Sequence, residues 1–270
     1  MLVKITIFAL TCFIAYGQTF EAASIKPATP LGPAGMRVDR TGGPGTPDPG
    51  TYRCQNCPLS WVLTEAYHVK DFEFSAPDWV NNLRFDFAAK LPESGASKEE
   101  FRKMLQYLLV ERFQLAVHRE KKDAQVYELT VAKAGPKFHE SKPDQAGSEE
   151  ATGPPKRDAD GFPVLAGSMT MAMVPGHARL RSQDRDIAWF TDMLSGQLRA
   201  PVIDATGLKG KYDFVVSWAF ADNSNGVAAE SPQDALIIAV QSQLGLKLEH
   251  KKGQIDMLIV DHMEKKPTEN

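Results

Sequence analysis

Residues 101–131 read FRKMLQYLLVERFQLAVHREKKDAQVYELTV, and the reading of this stretch decides the fold. Phe101, Met104, Leu105, Leu108 and Leu109 stand at i, i+3, i+4, i+7 and i+8, the spacing of an apolar stripe on a helix that lies on a core. A helix is therefore expected over 101–112. After it the period changes to two: Leu115 and Val117 alternate with polar neighbours, a charged run spans Arg119 to Asp123, and alternation resumes at Tyr127, Leu129 and Val131. That pattern predicts a hairpin with the charged run at its tip, so the unit reads helix-strand-strand.

The unit returns near the C-terminus as PQDALIIAVQSQLGLKLEHKKGQIDMLIVDH, residues 232–262. An offset of 131 carries Met104, Leu105, Leu108, Leu109 and Phe113 onto Ala235, Leu236, Ala239, Val240 and Leu244, which predicts a second helix over 232–243. The same offset puts the charged turn at His250–Gly253, where a glycine suits a tight reversal. A weaker echo precedes each unit at an offset of 127. Leu59–Tyr67 faces Asp186–Leu194, and Arg84–Phe87 faces Lys211–Phe214. The expected fold class is α+β: two similar small βαββαββ units, 51–133 and 168–264, each with two helices packed on short mixed sheets.

At the start of the chain, Lys4 precedes an apolar run from Ile5 to Ala15, and Ala15-Tyr-Gly17 presents small residues before a cut at Gln18. Residues 1–17 are read as a secretory signal peptide. The run is shorter than the ~20 residues a spanning helix needs, and no later stretch reaches that length without charges. Cys12, preceded by Leu10 and Thr11, is a poor match to a lipid-attachment site, so no anchor is expected. The composition, 43% hydrophobic and 24% charged with a formal charge of −3, belongs to an ordinary globular protein and argues against nucleic acid as a partner.

Residues 18–50 hold a leading strand near Phe20–Ile25 and then a Pro/Gly-rich, mostly exposed loop. Residues 134–167 read as the linker between the units, and 265–270 as a tail. Beyond the signal, Cys54 and Cys57 form a C-x-x-C just before the helix at Leu59. Two readings stand: a small structural disulfide, favoured by an oxidising compartment, or a redox thiol activated by the helix N-terminus. No second close Cys or His pair accompanies them to make a metal site. The six histidines show no H-x-x-x-H pair. His118 and His262 are polar candidates in or beside strands, with Asp261 next to His262. Neighbours on a strand point to opposite faces, so Asp261 cannot simply orient His262. No nucleophile elbow, HExxH, P-loop or dinucleotide fingerprint occurs, and no cofactor is expected.

FEAASIKP (20–27), APDWVNNLRFDFAAKLP (76–92), MLQYLLVERFQLAVHRE (104–120), VYELTVAKAGPKF (126–138), PVIDATGLKGKYDF (201–214) and IVDHMEK (259–265) together resemble the soil-associated family of secreted acidobacterial proteins, a domain family of unknown function. The resemblance covers nearly all of the chain after residue 17 and brings no catalytic residues with it. Cys54 and Cys57 lie outside that family's pattern. Each half also resembles the short N-terminal domain of secretins and TonB-dependent receptors, an interaction module. That likeness implies a periplasmic or secreted, non-catalytic binding or adaptor protein whose partner is another envelope protein or a cell-surface ligand. An enzyme with a polar site between the halves, or a thiol redox protein, are the alternatives.

Overall fold

The computed structural model describes residues 19–29, 38–141, 157–163, 169–219 and 231–269. The expected signal peptide lies outside these residues, as does most of the segment read as a linker. In chain order the elements are β1 (Ala22–Pro27), β2 (Asp39–Gly42), β3 (Thr51–Pro58), α1 (Leu59–Tyr67), β4 (Phe74–Ser75), α2 (Trp79–Asn82), β5 (Arg84–Lys90), α3 (Lys98–Phe113) and β6 (Ala116–Val131). There follow β7 (His139–Glu140), β8 (Met169–Val174), β9 (His177–Arg185), α4 (Ile187–Leu198), β10 (Val202–Asp204), β11 (Tyr212–Ala219), α5 (Pro232–Ala239) and β12 (Leu246–His262). The fold class is α+β, as the two periodicities imply.

The chain divides into two compact units, residues 1–120 with 256–270 and residues 121–255. In the first, an antiparallel sheet of order β1-β5-β3-β2 is covered by α1 and α3. The stripe residues Phe101, Leu105, Leu108 and Leu109 are buried in its core, and Phe113 meets Phe85 edge-on with centroids 5.2 Å apart. A reciprocal cap starts α3. The Ser97 hydroxyl accepts the Glu100 N–H, and the Glu100 carboxylate accepts the Ser97 N–H at 2.8 Å. Gln106 ties α3 to α1 by donating to the Ala66 carbonyl at 2.7 Å.

The second unit has an antiparallel sheet of order β7-β11-β9-β8. Its separate core holds Leu180, Phe190, Leu194, Phe214, Leu236 and Leu244. Asp186 caps α4 by accepting the Trp189 N–H at 2.7 Å, and Ser231 with Pro232 opens α5. A π-turn, Val240–Leu244, carries α5 to Gly245.

Neither predicted hairpin forms. Residues 116–131 and 246–262 are each one long strand, with the charged runs in mid-strand rather than at a tip. The two strands are hydrogen-bonded neighbours and run antiparallel, for Asp123 meets Gln254 while Glu128 meets Lys251. Arg119–Asp123 holds no glycine, proline or asparagine to support a reversal, and Gly253 is absent from the residues with left-handed backbone. Charged residues suit these middles because His118–Asp123 and Lys251–Lys252 are exposed on both strand faces. In the second unit β10 adds in parallel to β6 opposite Tyr127–Leu129. In the first, β4 adds in parallel to β12 opposite Leu258–Ile259. The boundary between units thus falls inside both long strands.

Candidate functional site

Cys54 and Cys57 lie inside β3 and not in a loop. Opposite β5 the register shifts between them, Cys54 facing Phe87 and Cys57 facing Phe85, so the intervening residues form a bulge. Asn56 takes up the left-handed conformation there, with φ 54°. Its N–H donates to Asp86 Oδ1 at 2.7 Å and its carbonyl accepts from Arg84 at 2.9 Å, which holds the bulge in place. The two cysteines are joined as a disulfide with Cα atoms 5.7 Å apart, and both are buried. The sulfurs therefore staple a bulge within the first core.

The second unit carries a bulge without cysteines. Asp184 in β9 has φ 53°, and its N–H donates to Asp213 Oδ1 at 2.9 Å on the neighbouring β11. Since carboxylate and backbone suffice to build that bulge, the disulfide is an added staple. Closing a loop of so few residues restricts the unfolded chain little, so Cys→Ala at both positions is expected to lower unfolding free energy by about 2 kcal/mol. Urea unfolding measures it. A loss well above about 4 kcal/mol would mean the bulge depends on the sulfurs.

Of the polar candidates, the ladder joins His118 to Asp261 and separates both from His262. His118 Nδ1 lies 2.8 and 2.9 Å from the two Asp261 oxygens, while His262 Nε2 turns to Glu264 at 3.3 Å. An imidazole oriented by a carboxylate can accept a proton at its other nitrogen, which here lies 4.0 Å from Glu120. Yet the side chains are 48% and 46% exposed, on an open strand face. Among the described residues no cluster of three or more His, Cys, Asp or Glu side chains could hold a metal ion.

The Pro/Gly-rich loop after β2 helps to form a solvent-open cavity of about 750 Å³ in the first unit. The turn Gly42–Thr46 and the side chains of Arg40, Lys98 and Arg102 line it, and Tyr52 and Phe101 form its floor. Burial first, with Glu65 nearby, pushes the Tyr52 hydroxyl up to about 12, against the pull of Arg40. Its signal in the sequence was Arg40 running straight into TGGPG, a glycine cluster between two strands.

The structure thus defines a class of small α+β protein, with two units of separate cores, a disulfide-stapled bulge and a polar cavity open to solvent. The chain belongs to the family described as protein of unknown function DUF3738, whose family model matches residues 60–263. No curated protein and no solved structure matches it. No helix among the described residues is long and apolar enough to cross a membrane.

Proposed function

We propose that the chain is an exported, non-catalytic binding or adaptor protein of a soil-associated acidobacterial family, secreted or periplasmic, built from two copies of one module like the short domain of secretins and TonB-dependent receptors. Its partner is an extended segment of another envelope protein. The apolar run at 5–15 supports export. Matching left-handed residues support the two copies: Asn56 and Asp184 at the bulges, His68 and Arg199 after α1 and α4, and Gln114 and Gly245 before β6 and β12. Asp86 and Asp213 hold the bulges alike, and the buried Leu59, Val62, Leu63 and Ala66 of α1 fall on the buried Ile187, Phe190, Thr191 and Leu194 of α4 at an offset of 128, one more than the sequence echo.

The observation that carries the binding role is β8, MTMAMV, an uncharged strand at the edge of its sheet. Its outer backbone groups have no neighbouring strand among the described residues, and Met173 is 65% exposed on it. Such an edge accepts an added strand, backbone bonds giving affinity and side-chain pockets giving choice. The test is crosslinked capture from envelope extract by the protein and by Met173→Lys, which places a charge on the edge. The captured partner is expected to be lost from the variant, whose own stability should stay within about 0.5 kcal/mol. Equal capture by both, or by neither, would sink strand addition at β8.

A further inference from the structure

We propose that the glycine-turn cavity of the first unit is a binding site for a small oxygen-bearing anion, a phosphomonoester or a dicarboxylate; this site is independent of the strand-addition reading. The charges decide its sign. Arg40 faces Glu65 at 3.4 Å, which matches those two charges, whereas the Asp48 carboxylate accepts the Thr51 hydroxyl at 2.5 Å and keeps its negative charge. Lys98 and Arg102 have no carboxylate partner among the described residues, and Arg102 Nε is buried without a hydrogen bond. Set against Asp48, they leave the lining with one positive charge in excess, which a negatively charged oxygen group complements. Guanidinium offers a planar fork to such a group and ammonium a point charge.

The cavity is built before any ligand arrives. Gly43 N–H donates to the Thr51 carbonyl at 2.6 Å, and the Thr46 hydroxyl donates back to the Gly43 carbonyl at 2.8 Å, closing the turn on itself. Gly42 has φ +78°, and a Cβ there would stand 2.1 Å from the Thr51 carbonyl oxygen, so the turn admits no side chain at that point. A Cβ on Gly45 would come within 3.5 Å of Lys98 Cε, which places the lysine stem against the turn. Below, the Tyr52 and Phe101 rings meet edge-on with centroids 5.0 Å apart and give a firm floor. A rigid turn lowers the ordering cost of binding. The volume, about 750 Å³, matches a metabolite-sized ligand.

The test is an amide NMR titration of the purified protein with inorganic phosphate, glucose 6-phosphate and succinate, each at low ionic strength. Saturable shifts confined to residues 40–52 and 98–102 are expected with at least one of them, weakening as salt screens the cations. The arm that saturates identifies phosphate or dicarboxylate as the source. Lys98→Gln with Arg102→Gln is expected to weaken that binding by about tenfold or more. Should the double variant fail to fold, Lys98→Gln alone, at an exposed position, is expected to weaken it severalfold. No saturation by any of the three, shifts spread over both units, or unchanged affinity in the folded variants would overturn the proposal.

Discussion

Leu105→Ala and Leu236→Ala are each expected to lower unfolding free energy by about 2–5 kcal/mol, the sum of lost transfer energy and an unfilled cavity. Leu105 is 0% exposed and Leu236 1%, and they belong to different cores. Leu105 lies on α3 among Phe101, Leu109 and Phe113, and Leu236 on α5 among Ala239, Val240 and Leu244. Neither surrounding can collapse freely, because each is bounded by a sheet on its other side. Denaturant titration of both variants reads the effect, and a loss below about 0.5 kcal/mol at both sites would remove these helices from the cores.

Gly245→Ala is expected to cost about 3 kcal/mol, the upper end for a strained backbone position. Gly245 has φ +66°, and a Cβ there would lie 2.2 Å from the Gly135 carbonyl oxygen, a backbone atom that no rotamer change can move away. The Gly245 carbonyl also accepts the Ala132 N–H at 2.9 Å, so displacement would break a further bond. Shortly before β6, Gln114 holds φ 51° despite its side chain. Gln114→Gly relieves that strain and is expected to be neutral or stabilising by up to about 1 kcal/mol. Thermal unfolding should thus fall in temperature for Gly245→Ala and hold or rise for Gln114→Gly. A harmless Gly245→Ala would show that the β12 start tolerates rearrangement.

Helices α3 and α5 were legible from their stripes alone, since a buried face imposes its 3.6 period whatever the partner, although the α-helix expected to 243 ends at Ala239 and continues as a π-helical turn. The hairpins were misread for a related reason. His118–Asp123 and Lys251–Lys252 have no buried face, so they show no alternation, and a strand without alternation looks like a turn. The pairing of His118 with Asp261 has no signal in the sequence, because a cross-strand neighbour is set by the ladder and not by spacing. The separation of Asp261 from His262 follows from the strand period alone. The cavity escaped because Arg40, Lys98 and Arg102 are far apart in the chain, and glycines mark a turn without saying what folds over it. The C-x-x-C spacing announced the cysteines, but only packing placed them within a buried bulge.

The division of the chain inside β6 and β12 also governs the order of assembly during synthesis. The first unit takes in residues 256–270, with Val260 and Met263 in its core, so its hydrophobic interior stays incomplete until those residues have left the ribosome. The second unit, made wholly of residues 121–255, has all its parts sooner although it is encoded later. The usual N-terminal-first sequence is thereby inverted: the strands and helices of residues 19–120 wait for residues 256–263 to complete their core.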